Sequence, residues 1–313
     1  MKKIQSLFLP VAVASILASG IACADNVFVV NNGGNTVTLI SNNVVDPVPF
    51  IDTNLNSPTG IAIFDNNYYV SNNGVDGAGY IAEFNSSGHF ITDYSTSEDG
   101  PRGLAFDSAG NLYVVNQTSG NVVEIPTGGP PAPESVLVKV APGANDVVIH
   151  DGTFYLTDGV VSTISGGVAT PFASAGLSSP NGIAFDDVGI NAGNFFVVNH
   201  GTSSVLEFND ITGAPVGTHP FITDLNPSDQ PKTIAIDSAG NFYVTDNGDN
   251  TVTEYDPTGT MVLNTFNASG DFDGPCFVLT EPALTVPEPS TYALLIAGLG
   301  LLFFMGRRKT ATV

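Results

Sequence analysis

Hydrophobic and polar positions alternate in short runs along most of the chain, and the runs recur in phase. The recurring phrase is Pro-x-Gly-Ile-Ala-Phe-Asp, then a turn around Gly-Asn, then Phe-Tyr-Val-x-Asn. Clear copies start at Pro58, Pro101, Pro180 and Pro231, a weaker one at Pro142 and a truncated one at Pro275. The intervals between these prolines are 43, 41, 38, 51 and 44 residues. A period near 40 made of short β-runs predicts the blades of a propeller.

Within each copy the alternation predicts the strands in order. Gly-Ile-Ala-Phe-Asp is the innermost strand. Asp107–Asn111 and Asp237–Asn241 both read Asp-Ser-Ala-Gly-Asn, a tight turn in which Asp supplies the local hydrogen bond and Gly the positive φ. Phe-Tyr-Val-Thr follows as the second strand. Thr251–Tyr255 is the third, with Glu254 expected to alternate outward. Fourth strands are less regular, for example Val136 to Val140. Pro126 to Glu134 cannot hold a ladder and is expected to be an extended surface loop.

The two chain ends complement each other. Asn26 to Asn32 matches only the second half of the phrase, and the missing first strand appears as Pro275 to Thr280. One blade is therefore shared by the N- and C-terminal strands, which leaves no open sheet edge in the ring. The expected fold is an all-β, six-bladed β-propeller over residues 25–285. An N-terminal signal helix precedes it and a C-terminal apolar helix follows it. The aliphatic and aromatic positions of the blades are expected to be core.

The flanks differ in pattern. Residues 1–24 run from Lys2-Lys3 through an apolar stretch to Ala22-Cys23-Ala24, the order of a secretory signal peptide. Cleavage is expected after Ala24. Lipidation of Cys23 is the alternative, and Gly20 stands where lipoprotein signals usually carry Leu. Residues 286–313 read Val-Pro-Glu-Pro-Ser-Thr, an apolar run from Tyr292 to Gly306, then Arg307-Arg308-Lys309. The run is short for a full span, for which about 20 residues is usual, and the basic cluster would stay cytoplasmic.

Composition narrows the partners. The chain has 313 residues, 12% of them charged, and a formal net charge of −22. Of eight basic residues, five sit at the two ends, leaving Arg102, Lys139 and Lys232 in the middle. So acidic a surface repels nucleic acid. Two cysteines, Cys23 and Cys276, exclude a disulfide framework. No glycine-rich loop follows a strand and opens a helix, so nucleotide binding has no support.

Candidate chemistry gathers at one place. The residue that opens each inner strand faces the mouth of the central channel. The six openings are Thr59, Arg102, Asn145, Asn181, Lys232 and Cys276, with Asn145 placed by counting back ten residues from Tyr155, as Thr59 is from Tyr69. Two of the three basic residues of the mature domain fall in this ring. Thr59, Arg102, Asn145, Asn181 and Lys232 are the expected ligand-binding set. A second rim is expected from Asn31, Asn72, Asn116, Asp158, Asn199, His200 and Asp246, which also have an ordinary reading as strand-to-turn residues. The four histidines, His89, His150, His200 and His219, have no paired metal spacing. Cys276 sits in an apolar strand and reads as packing.

The blades resemble NHL repeats and the larger family of gluconolactonase and paraoxonase-like six-bladed propellers, over roughly residues 25 to 285. That family places a divalent cation, usually calcium, at the mouth, held by hard oxygen ligands. Asn145-Asp146 resembles its Asn-Asp ligand pair, Asn181 in Pro-Asn-Gly-Ile its Asn, and Asp273 in Asp-Gly-Pro the acidic ligand of the closing blade. The resemblance thus implies a calcium site of Asn145, Asp146, Asn181 and Asp273. Where the family has Asp after proline, this chain has Lys232. The last stretch resembles the PEP-CTERM sorting signal of Gram-negative bacteria through Pro287, Glu288, Pro289, Arg307 and Arg308. That implies recognition by an exosortase and delivery to the cell surface or its polysaccharide matrix. Before processing, the apolar helix would hold the chain in the membrane.

These readings point to an exported, surface-sorted propeller acting as a binding or structural module of the envelope or extracellular matrix, with polysaccharide or a surface protein as its partner. The alternatives are a calcium-dependent lactonase-type hydrolase and a carbohydrate-binding module. Absence of Trp counts against the last, although nine Tyr remain.

Overall fold

The computed structural model describes residues 25–281, apart from 75–78, 97–98, 128–134, 188, 218–219, 224, 226–229 and 267–271. Six antiparallel sheets form six blades. From the axis outward, the first blade contains Pro275–Glu281, Asn26–Asn31, Thr36–Ser41 and Val44–Val45. The second to sixth blades start with Pro58–Phe64, Pro101–Phe106, Val147–His150, Pro180–Asp186 and Pro231–Ile236. These six innermost strands touch one another around a closed ring.

The shared blade closes that ring by antiparallel pairing, with one register shift between Val30 and Asn31. Asn26 pairs with Glu281 and Asn31 with Pro275. Each innermost strand therefore runs from its proline end, at the channel mouth, to the opposite face. The described chain both begins and ends at that opposite face.

Five blades have four strands. Among the described residues the fifth blade has three, Pro180–Asp186, Asn194–Asn199 and Ser204–Asn209. The isolated bridges Val205–Ile222 and Phe208–Pro215 stand where its fourth strand would be. This irregular outer edge accounts for the long interval between Pro180 and Pro231.

The core is six cores rather than one, each between two neighbouring blades. Between the second and third blades, for instance, Tyr69 and Ile81 pack on Leu112, Val114 and Val123. Both faces of a blade are thus buried against neighbours. The glycine of Pro-x-Gly is needed where one inner strand crosses close to the next: a Cβ on Gly182 would lie 2.6 Å from Thr233 Cα.

The turns form as the sequence predicts. Asp107 Oδ1 accepts the Ala109 and Asn111 amides, each at 2.9 Å, and Gly110 has φ +88°. Asp237 repeats the arrangement with Ala239 and Asn241, and Gly240 has φ +84°. Glu254 corrects the expectation: it is 2% exposed, not outward-facing. It accepts a hydrogen bond from Asn264 Nδ2 and lies beside Tyr243. Glu83 in the second blade is built likewise, accepting from Asn67, Tyr69 and Tyr94. Burial, and then the Glu83 carboxylate, push the hydroxyls of Tyr69 and Tyr94 far above the usual tyrosine range.

The signal segment 1–24 with Cys23, the sorting segment 286–313 with Pro287, Glu288, Pro289, Arg307 and Arg308, and most of the 126–134 loop lie outside the described residues. Among the described residues no helix is long and apolar enough to cross a membrane.

Candidate functional site

The mouth is assembled by the proline ends of the inner strands. Thr59, Arg102, Asn145, Asn181, Lys232 and Cys276 line one pocket together, joined by Asp146, Thr233 and Phe277. All six residues picked out as strand openings therefore meet. The free space among them is only about 10 Å³, about the room for one water.

Three of the six are committed to holding blades together. Thr59 Oγ1 donates to the Pro101 carbonyl at 2.6 Å. Asn145 Nδ2 donates to the Pro180 carbonyl at 3.1 Å, while its Oδ1 accepts from Gln117 Nε2 at 2.7 Å. Cys276 Sγ reaches the Pro58 carbonyl at 3.4 Å. Each bond runs from one blade to the next. Burial pushes the Cys276 thiol up to about 12, which keeps it protonated at pH 7.

The remaining three, Arg102, Asn181 and Lys232, have side chains free of such bonds. Among the described residues the ion pairs within 4 Å are those of His150 with Asp151 and Asp187. Among the described residues neither Arg102 nor Lys232 has a carboxylate within 4 Å, although Asp246 stands close enough to favour the charged form of Lys232. Burial lowers the Lys232 ammonium from the usual lysine range, and the Arg102 guanidinium lowers it further. Arg102 is itself lowered by burial. Two cations with no ion pair within 4 Å thus share one mouth in a chain of net charge −22.

Beneath the mouth runs a channel of about 320 Å³ walled by the inner strands, with Ile61, Leu104, Ile183, Ile234 and Leu279 among its lining. Asp146 and Phe277 line both spaces. Asp146 is 4% exposed. Its Oδ2 accepts the Ile183 amide at 3.2 Å, and its Oδ1 is buried with no partner. Burial raises this carboxyl to about 7.

The residues do not fit the implied calcium site. Asn145 Oδ1 is engaged with Gln117, and Asp146 Oδ2 with a backbone amide. Asp273 stands apart: it is exposed, packs over Gly33 and Gly34, and lines a different cleft with Asp46. Its backbone carbonyl accepts the Gly33 and Gly34 amides, which turns the side chain away from the mouth. Two cations occupy the ring that would have to hold a third. Among the described residues no cluster of three or more His, Cys, Asp and Glu is arranged for a metal.

The second rim is structural. Asn72 Oδ1 accepts the Asn56 amide, Asn199 Oδ1 the Ser178 amide and Asp246 Oδ1 the Gln230 amide. Each anchors the backbone one or two residues before a blade's first proline. Asn31 binds Thr36 and Thr38. Asn116 is buried too, and Asp158 accepts from Ser162 in a groove away from the mouth. His200 Nδ1 lies 3.2 Å from the Pro231 carbonyl, a further link between blades. His150 stacks on Phe185 at 4.1 Å, His89 is exposed, and His219 lies outside the described residues.

The fold and site define a six-bladed propeller with a cationic mouth over an apolar channel. Comparison with known proteins adds an address. Residues 285–309 match the PEP-CTERM protein-sorting motif, which implies export, sorting to the cell envelope and recognition by an exosortase. No curated protein matches the chain. Among solved structures it is similar to a chain of a nidogen/laminin complex, at 17% identity and TM-score 0.67 over 81% of this chain and 97% of that one. Regucalcin from Agrobacterium tumefaciens, described as a calcium-binding protein, aligns at 16% identity and TM-score 0.56 over 75% and 85%. Virginiamycin B lyase from Staphylococcus aureus aligns at 14% identity and TM-score 0.55 over 80% and 85%. At these identities the likeness is one of fold.

Proposed function

We propose that this chain is a surface-displayed binding module of the envelope or extracellular matrix that holds an anionic group, such as the carboxylate of a sugar acid, at its channel mouth. One observation carries the reading: Arg102 and Lys232 face the same small mouth and, among the described residues, neither has a carboxylate within 4 Å. A half-buried cation costs desolvation energy, and an anion arriving from outside recovers it. Arg102 offers a planar fork suited to a carboxylate, and Lys232 a point charge beside it. The sorting motif supports a partner in the matrix.

A calcium-dependent lactonase-type hydrolase is the competing reading. It is favoured by the meeting of Asn145, Asp146 and Asn181 at the mouth, and opposed by the two cations among them.

The test is calorimetric titration of the full-length chain with oligosaccharides of uronic acids and with their neutral counterparts. Binding of the acidic series only, weakened by salt and lost in Arg102→Ala/Lys232→Ala, supports the proposal. Equal binding by the double variant, or a lactonase activity that needs calcium, overturns it.

A further inference from the structure

We propose that the ligand of this mouth is an amphiphile: a linear carboxylate whose head lies between Arg102 and Lys232 and whose apolar tail fills the central channel. This rests on the reading of the mouth as an anion site and extends it downward.

The channel is what carries the extension. Midway along the inner strands, register places one residue from each blade at a common level: Ala62, Ala105, Val148, Ala184, Ala235 and Val278. All six line the channel. Four alanines in a ring of six leave open a space that larger side chains would fill. The resulting volume, about 320 Å³, reaches the lower end of the range of about 300–1,000 Å³ in which small-molecule sites fall. Above and below the alanine level the wall is mostly aliphatic and aromatic, with Ile61, Leu104, Ile183 and Phe106, and Asp146 and Thr280 as its polar members.

Charge and apolarity are therefore stacked along one axis. Asp146 and Phe277 belong to both spaces, so the cationic mouth lies directly against the channel and shares a wall with it. A free sugar acid would satisfy the mouth and leave the tube unused. A carboxylate with an alkyl tail satisfies both. The mouth has room for about one water, and among the described residues the guanidinium of Arg102 and the ammonium of Lys232 make no hydrogen bond and no ion pair within 4 Å, Asp246 acting on Lys232 only from farther away. Both swing aside onto the flanks of the arriving carboxylate.

The experiment is a chain-length series on the full-length protein: acetate, butanoate, hexanoate, octanoate and decanoate, by calorimetry below their micelle concentrations. Affinity should rise by about fourfold for each buried methylene and level off once the channel is filled. Ala184→Leu, which narrows the ring of alanines, should abolish the rise and leave acetate binding unchanged, with its fold checked by thermal unfolding. Affinity independent of chain length, with acetate or uronate still bound through Arg102 and Lys232, overturns this inference and leaves the anion site standing. A rise with chain length that survives Ala184→Leu also overturns it, since the tail then lies elsewhere. Binding of no carboxylate or uronate at all overturns both readings.

Discussion

The hydroxyl of Thr59 donates to the carbonyl of Pro101 across a blade boundary, at 2.6 Å. Thr59 is buried, and the same oxygen lies 3.1 Å from Ser71 Oγ. This residue opens an inner strand, yet its role is to tie the second blade to the third. Thr59→Val keeps the shape and leaves a buried carbonyl short of its donor, at a cost of about 1–3 kcal/mol. Chemical denaturation should show a lower midpoint with an unchanged slope. An unaltered midpoint would mean that the blades do not rely on this link.

Asp146 makes stability depend on pH in a direction opposite to that of ordinary acid denaturation. Its folded-state pKa is raised to about 7, whereas an unfolded aspartate titrates near 3.9. Its contribution is fully present below the unfolded value. As pH rises the unfolded chain ionises first, and stability falls until the folded carboxyl ionises near 7. Asp107 shifts the other way: the amides and side chain of its turn hold it below the usual carboxylate range, so its contribution is lost as pH falls through its folded-state value. Asp146→Asn should remove the decline between about pH 4 and 7, as followed by the thermal midpoint across pH. A decline of equal size in the variant would show that another group causes it.

Lys232→Asp should create a cation site. It replaces an ammonium by a carboxylate in the ring that already holds Asn145, Asp146 and Asn181. Calcium at 100 times its dissociation constant would then stabilise the variant by about 2.7 kcal/mol, while the parent chain should not respond. The same calcium response in both proteins would sink the idea that Lys232 stands in the cation's position.

Gly110 and Gly240 occupy equivalent turns with the same left-handed backbone, but their surroundings differ. A Cβ on Gly240 would meet Pro257 at 3.6 Å, ordinary contact, whereas on Gly110 it would lie 2.8 Å from the ring of Phe64. Gly240→Ala should therefore cost about 1 kcal/mol, the strain of positive φ alone. Gly110→Ala should cost more, because Phe64 is stacked on Phe106 at 4.8 Å and has to move. Equal losses in a side-by-side denaturation would remove Phe64 from the explanation.

Much of this architecture was legible in the sequence because a propeller repeats. The proline phase gave the blade count, the split blade and five residues of the mouth, and the spacing from Tyr155 gave the sixth, Asn145. Burial of Glu254 was not legible. Period-two alternation distinguishes the two faces of a strand, but in a propeller both faces of a blade meet a neighbour, so polar alternation does not mark solvent. Asp273 was misplaced for a related reason. Its spacing to Pro275 is right, but the bonds of its carbonyl to Gly33 and Gly34 decide which way the side chain turns, and those partners lie at the other end of the chain. Thr59 and Asn145 were found as mouth residues, but proximity to a mouth does not separate a side chain that waits for a ligand from one already bonded to the next blade.

The pairing of Asn26 with Glu281 puts both described ends of the chain in one place. The shared blade carries the chain from the mouth, at Pro275, to the far face at Glu281. The described chain therefore starts and stops on the face away from Arg102 and Lys232, and neither Asp25 nor Glu281 lies across the approach to the cationic mouth.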